Sequence, residues 1–176
     1  IHINCGPEHL DLARAATEAA YRVGARWVDV YVSDPRVKRA QIEHGPEEAL
    51  DWTPPWLVAR LDELAERKGA ILLLVGDAEP DLYADLDQQR VGKARMTALR
   101  ARYLELLGEG AIAWAIVGSP NEGWAEAMFG EPDVERLWEA VAATVRLDEP
   151  DPVAAWRDHI EMLKARTRAL DERLGR

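Results

Sequence analysis

The chain has 176 residues, with 22 Lys and Arg against 32 Asp and Glu and a net charge of −10. That length is enough to bury a single-domain core, and acidic charge mixed along the sequence excludes the basic stripe a nucleic-acid binder needs. The longest apolar runs, 70–75 and 111–117, fall far short of the ~20 residues of a membrane span, so no membrane segment is expected.

Cys5 is the one cysteine, so no internal disulfide forms and a reducing, cytoplasmic compartment is expected. No basic stretch followed by an apolar one opens the sequence, so no export signal is expected, and Ile1 reads as an interior residue of a longer protein.

Residues 1–4 predict a short strand that stops at Cys5-Gly6-Pro7, with Pro7 suited to a first helical turn. Leu12, Ala16, Ala19, Ala20 and Val23 recur at helical spacing until Gly24. Residues 27–32 follow as a second strand, giving a right-handed parallel strand–helix–strand unit. Ser33 or Asp34 caps a helix that Gly45-Pro46 interrupts, and a short acidic helix covers 47–50. Thr53 is the expected cap of a helix opening on Pro54-Pro55, with Trp52 and Leu57 at hydrophobic-staple positions and Val58, Leu61 and Leu64 inward.

Residues 70–75 are apolar throughout and read as a third strand, expected to be central. Helical segments fill 81–107; in the second, 94–107, arginines interspersed with Ala94, Leu99, Tyr103 and Leu106 read as a solvated face. The run 111–117, bounded by Gly110 and Gly118, reads as a strand buried on both faces at the centre of the sheet. It breaks at Gly118-Ser119-Pro120-Asn121, where Ser119 or Asn121 can cap the next helix.

Four alternations of strand and helix predict an α/β fold, a three-layer domain over 1–130 with a mainly parallel sheet of about four strands. Residues 131–176 differ in kind. Val134, Leu137, Trp138, Val141 and Val145 make one helical stripe, capped near Asp133. After Asp151 and Pro152, a narrow seam of Val153, Trp156, Ile160, Leu163, Thr167, Leu170 and Leu174 makes another. They predict a carboxyl-terminal helical hairpin packed on the α/β domain. An exposed seam there would favour a homodimer.

No phosphate-binding glycine fingerprint follows any strand. The strand ends do gather Asn4, Cys5, Ser33, Asp34, Asp77, Glu79, Ser119 and Asn121 on one sheet edge, where open parallel sheets bind ligands, although caps and turns call for the same residue types. His2, His9, His44 and His159 show no metal-ligand spacing, so no metal and no catalytic residue is assigned. Cys5 starts a helix, whose dipole could activate it, yet reads as a quiet buried thiol. The seven tryptophans read mostly as core packing; Trp124, just past the turn, is the one to watch. Ser119, Asn121 and Trp124 are the candidate cleft-lining residues.

Longer stretches resemble a known family. Ala19-Ala20-Tyr21-Arg22-Val23-Gly24-Ala25, Val28-Asp29-Val30-Tyr31-Val32-Ser33-Asp34, Ser119-Pro120-Asn121-Glu122-Gly123-Trp124-Ala125 and Asp148-Glu149-Pro150-Asp151-Pro152-Val153-Ala154-Ala155-Trp156 resemble the amino-terminal half of the M29 metallo-aminopeptidases, the thermophilic or aminopeptidase T type. The resemblance implies a two-domain enzyme that releases amino-terminal residues from peptides. It would use two divalent metal ions (Co, Zn or Mg) held by Glu, His and Asp of a carboxyl-terminal catalytic domain absent from this chain. No residue here matches those ligands or the catalytic Glu. The implied role is therefore an amino-terminal domain that binds no metal, is inactive alone and meets peptide substrate through the missing domain. Gly118-Ser119-Pro120-Asn121 departs from the family pattern, which has a Pro-Thr pair before Trp-Ala. The rival reading is a stand-alone α/β module that binds a small ligand or regulates through the strand-end crevice.

Overall fold

The short apolar runs do form strands, and the helical-period segments between them return each strand parallel to the last. The computed structural model describes residues 1–175. Its order is β1 (His2–Cys5), a 3-10 turn (Pro7–His9), α1 (Leu10–Arg22), β2 (Asp29–Val32), α2 (Pro35–His44), a 3-10 turn (Glu47–Ala49), α3 (Pro55–Glu66), β3 (Ala70–Val75), α4 (Gln88–Lys93), α5 (Thr97–Gly108), β4 (Ala113–Gly118), α6 (Glu122–Phe129), α7 (Val134–Thr144) and α8 (Pro152–Leu174). The chain divides into two compact units, Ile1–Pro132 and Asp133 onward.

In the first unit the sheet is all parallel with order β2-β1-β3-β4. On one face Ile3, Cys5 and Leu74 pack with Ala13 and Ala20 of α1. On the other, Ile71 packs with Leu61 and Leu64 of α3, Leu106 of α5 and Ile112. Helices on both faces make the three layers. Full burial of a side chain such as Ile3, 1 % exposed, stabilises the fold by about 1.5–3 kcal/mol.

One reading of the sequence is overturned. The strand expected at the centre, β4, lies at the edge, and Trp114 and Ile116 are 54 % and 56 % exposed. β1 and β3 hold the centre instead. An apolar run states that a strand has faces to cover; it does not state that both its edges are paired.

The tryptophans depart from expectation in the same direction. Trp27 precedes β2 and is 70 % exposed, while Trp52, Trp56, Trp138 and Trp156 are also exposed. Trp52 meets Trp56 edge-on with centroids 5.7 Å apart, an aromatic pair on the surface at the start of α3. The α3 cap position falls on Pro54 with no side-chain cap, and Thr53 Oγ1 is buried without a partner among the described residues.

Arginines of α4 and α5 tie the helices together, and Arg102, read from the sequence as part of a solvated face, is one of them. Arg90 Nε donates to Ile42 O at 2.7 Å and its Nη2 to Gly45 O at 2.6 Å, closing the carboxyl end of α2. That end offers carbonyls with no helical donor, which a guanidinium fork satisfies. Arg102 bridges Asp62 of α3 and Glu105 of its own helix, each at 2.7 Å.

In the second unit both caps are as read. Asp133 Oδ1 accepts from Arg136 N at 2.9 Å and Asp151 Oδ1 from Ala154 N at 3.0 Å, with Pro152 in the first turn of α8. Trp156 Nε1 donates to Val145 O at 2.7 Å, and Arg146 Nη2 lies 3.0 Å from His159 Nδ1. Ile160, Leu163 and Leu170 of the seam are exposed. No helix of the described residues is long and apolar enough to cross a membrane.

Candidate functional site

The carboxyl ends of β3 and β4 finish side by side, Val75 opposite Gly118, and Ser119 N extends the ladder by donating to Val75 O at 2.7 Å. The turn that follows is built on small residues. A Cβ on Gly76 would lie 2.9 Å from Asn121 Nδ2 and 3.3 Å from His9 Nε2, so only a residue without a side chain lets the turns after β3 and β4 close on each other. Gly118 does the same for Trp124: an added Cβ would sit 3.1 Å from the indole Cη2. The half-buried Trp124 ring therefore lies against strand backbone.

The three candidate cleft residues are brought together here. Asn121 Oδ1 accepts from Trp124 N at 2.9 Å and caps α6, while Asn121 Nδ2 lies 3.5 Å from Ser119 O. Ser119 is 4 % exposed. Asn121 thus fixes the angle at which Trp124 leaves the sheet.

His9 joins this cluster, a place that no spacing in the sequence assigns to it. It is 3 % exposed, its Nδ1 accepts from Gly6 N at 3.2 Å, and its Nε2 lies 3.0 Å from Gly76 O, with Glu8 Oε1 3.4 Å away. Two backbone partners select the tautomer with hydrogen on Nε2. The imidazole ties the turn after β1 to the turn after β3. The signal in the sequence is its position, directly after a strand end in a Pro-led turn.

The remaining strand-end residues divide among other tasks. Asp34 caps α2 by accepting from Arg36 N at 2.8 Å. Asp77 Oδ1 accepts from Glu79 N at 3.1 Å. Glu79 holds the Arg36 guanidinium in a two-point bond, 2.9 Å to Nε and 2.5 Å to Nη2, and that bond keeps its carboxyl below the usual range. Arg39 grips Asp85 with two bonds of 2.6 Å, and Asp85 falls to about 2 as a result. Tyr83 hydroxyl donates to Pro35 O at 3.0 Å. The long loop after β3 is thereby fastened to α2.

Cys5 is buried, and burial, followed by the Glu8 charge, pushes its thiol up. It packs in the α1-side core, and the upward shift favours the thiol over the nucleophilic thiolate. Asn4 and Ser33 turn away from this edge toward the α3–α5 side.

The carboxylates of the edge are thus committed to guanidinium groups or backbone N–H. Among the described residues no three His, Cys, Asp or Glu side chains come close enough to hold a metal ion. A divalent centre does not fit the donors present. What the edge offers is a rigid turn carrying an aromatic face.

Residues 1–174 match the family model described as thermophilic metalloprotease (M29). The chain is 37 % identical over 172 residues to "Aminopeptidase T" of Thermus thermophilus, covering 94 % of this chain and 42 % of that protein. It is 32 % identical over 169 residues to "Aminopeptidase 2" of Geobacillus stearothermophilus, covering 93 % and 41 %. The solved structure titled "Wild-type AmpT from Thermus thermophilus" superposes with a TM-score of 0.75 at 32 % identity, over 90 % of this chain and 40 % of that one. The chain therefore spans about two fifths of the length of the relatives it matches.

Proposed function

This chain belongs to the thermophilic metalloprotease (M29) family, and from that premise we propose that it is the amino-terminal, non-metal-binding domain of a dinuclear-metal aminopeptidase that releases amino-terminal residues from peptides. The observation that carries the reading is the match over 94 % of this chain to a protein named an aminopeptidase, at 37 % identity. The metal ions, Co, Zn or Mg, would be held outside this chain, because its own described donors form no cluster. Peptide substrate would be met jointly with the metal-holding part, in the cytoplasm.

Within that reading Trp124, set on the turn by Asn121 and seated on Gly118, lines one side of the cleft, while Ser119, buried in the turn, supports it from behind. A flat, rigid aromatic suits this task, since it gives contact area at little entropic cost. The division of labour is testable with aminoacyl anilides. The whole protein hydrolyses them in a metal-dependent way, and residues 1–176 alone do not. Metal-dependent turnover by 1–176 would refute the assignment of roles, and no turnover by the whole protein would refute the aminopeptidase. Trp124→Ala should raise KM while leaving metal content unchanged.

A further inference from the structure

A cavity of about 300 Å³ opens on the opposite face of the sheet from α1, between α3 and α5. Its volume is at the small end of ligand sites, about 300–1,000 Å³. The inner wall is apolar, made by Leu61 of α3, Ile71 and Leu73 of β3 and Leu99 of α5. Polar groups converge on it from three different elements: Asn4 of β1, Tyr31 and Ser33 at the end of β2, and Arg100 and Tyr103 of α5.

The polar atoms of these groups are not engaged elsewhere. The Asn4 amide, the Tyr31, Ser33 and Tyr103 hydroxyls and the Arg100 guanidinium have no side-chain hydrogen bond or ion pair among the described residues, whereas Arg60, which also lines the cavity, is paired with Asp29 at 2.5 Å and lies over the Tyr31 ring. No carboxylate lines the cavity. With Arg60 offset by Asp29, the solvent-exposed Arg100 is the lining cation without an ion pair among the described residues; His2 also lines the cavity, its pKa lowered first by burial. Met96, which lines the cavity and precedes α5, holds φ 45° and ψ 58°, a left-handed conformation that is unfavourable for a methionine; such strain gathers at binding sites.

We propose that this cavity is a binding site for a small apolar monocarboxylate, its body against Leu61, Ile71 and Leu73 and its carboxylate bonded by Arg100 with the neighbouring hydroxyls and amide. One unpaired cation selects one negative charge, and a planar guanidinium matches a carboxylate with two parallel bonds. The absence of an acidic lining residue disfavours ligands that carry an ammonium group, so free amino acids bind less well than their des-amino counterparts. This site is independent of the aminopeptidase reading and stands or falls separately.

The test uses the protein that carries this chain, labelled with ¹³C on methionine methyls, Met96 being assigned by its loss in Met96→Leu. The probes are 4-phenylbutyrate and its uncharged counterpart 4-phenylbutyramide. Saturable movement of the Met96 methyl by the carboxylate, with the amide weaker by about tenfold, is expected, since a charge-assisted pair contributes about that factor. Arg100→Gln should lower carboxylate affinity about tenfold while leaving the amide unchanged, and Arg100→Lys should lose less. Ser33→Trp, filling the mouth from an exposed position, should abolish both. No movement of Met96 at millimolar carboxylate, or equal affinity for the two probes with Arg100→Gln without effect, would overturn the proposal.

Discussion

Gly123, in the first turn of α6, is the most exacting point of the strand-end turns. A Cβ added there would lie 2.5 Å from the carbonyl carbon and 2.8 Å from the Cα of Ala78, and nearer still to its carbonyl oxygen. Ordinary carbon contacts are about 3.5–4.0 Å, so Gly123→Ala overlaps the loop after β3 by roughly 1 Å. The obstacle is backbone that Asp77, Glu79 and Arg36 hold in place, and it cannot rotate aside as a side-chain tip could.

Helix propensity alone predicts the opposite, a gain of up to about 1 kcal/mol for Gly→Ala, whereas overpacking of this kind costs about 1–3 kcal/mol. The net expectation is a loss of about 1–2 kcal/mol in urea titrations, together with faster amide exchange in α6. Gly92→Ala in α4 is the control, because its Cβ would meet only Arg95 Nη2, at 4.0 Å; it should gain about 0.5–1 kcal/mol. A Gly123→Ala protein as stable as the parent, with Gly92→Ala behaving as expected, would refute the claim that the two loops touch backbone to backbone.

Ile3→Ala, at a position 1 % exposed, should cost about 2–5 kcal/mol in the same titration; a loss within error of zero would contradict its place in the α1-side core. Asn121→Ala removes the α6 cap and should cost about 1 kcal/mol, with the Trp124 amide losing protection first. Asp85, held at about 2 chiefly by the Arg39 hydrogen bonds against a usual 3.8, contributes stability present above pH 3.8 and lost as pH falls through about 2. Carboxyl NMR should place its titration there, and Asp85→Asn should flatten stability against pH in that window. His2 runs in the same direction at higher pH. Burial first, then Arg60, lowers its pKa below 6.5, so acidification below pH 6.5 disfavours the fold, and His2→Gln should remove that slope.

The parallel α/β character was legible because each strand is a short apolar run and each helix keeps its own period. The caps at Asp133 and Asp151 were legible, and the structure decides the two the sequence left open, Asp34 over Ser33 and Asn121 over Ser119; all four accept from the first turn of their helices. Thr53 misled because two prolines follow it: Pro54 takes the cap position and neither proline has an N–H for the Thr53 hydroxyl to accept from. The position of β4 was not legible, since 111–117 has the same composition whether one or both of its edges are paired. Nor was the cluster of His9, Gly76 and Asn121, which come from three separate turns and meet only once the parallel register sets their strand ends level. Arg102 read as solvated because its partner, Asp62, lies 40 residues away.

The wholly parallel sheet also governs how the chain can reach this state. His2 pairs with Asp29 on one side and Ile71 on the other, and no two neighbouring strands are joined by a tight turn that could zip them together. Each rung must wait for an intervening stretch of helix to be laid down, so chain entropy is lost before any ladder bond offsets it. Assembly of this unit is accordingly slow for its size, with β1 and β3 each completed only when a pairing arrives on both flanks.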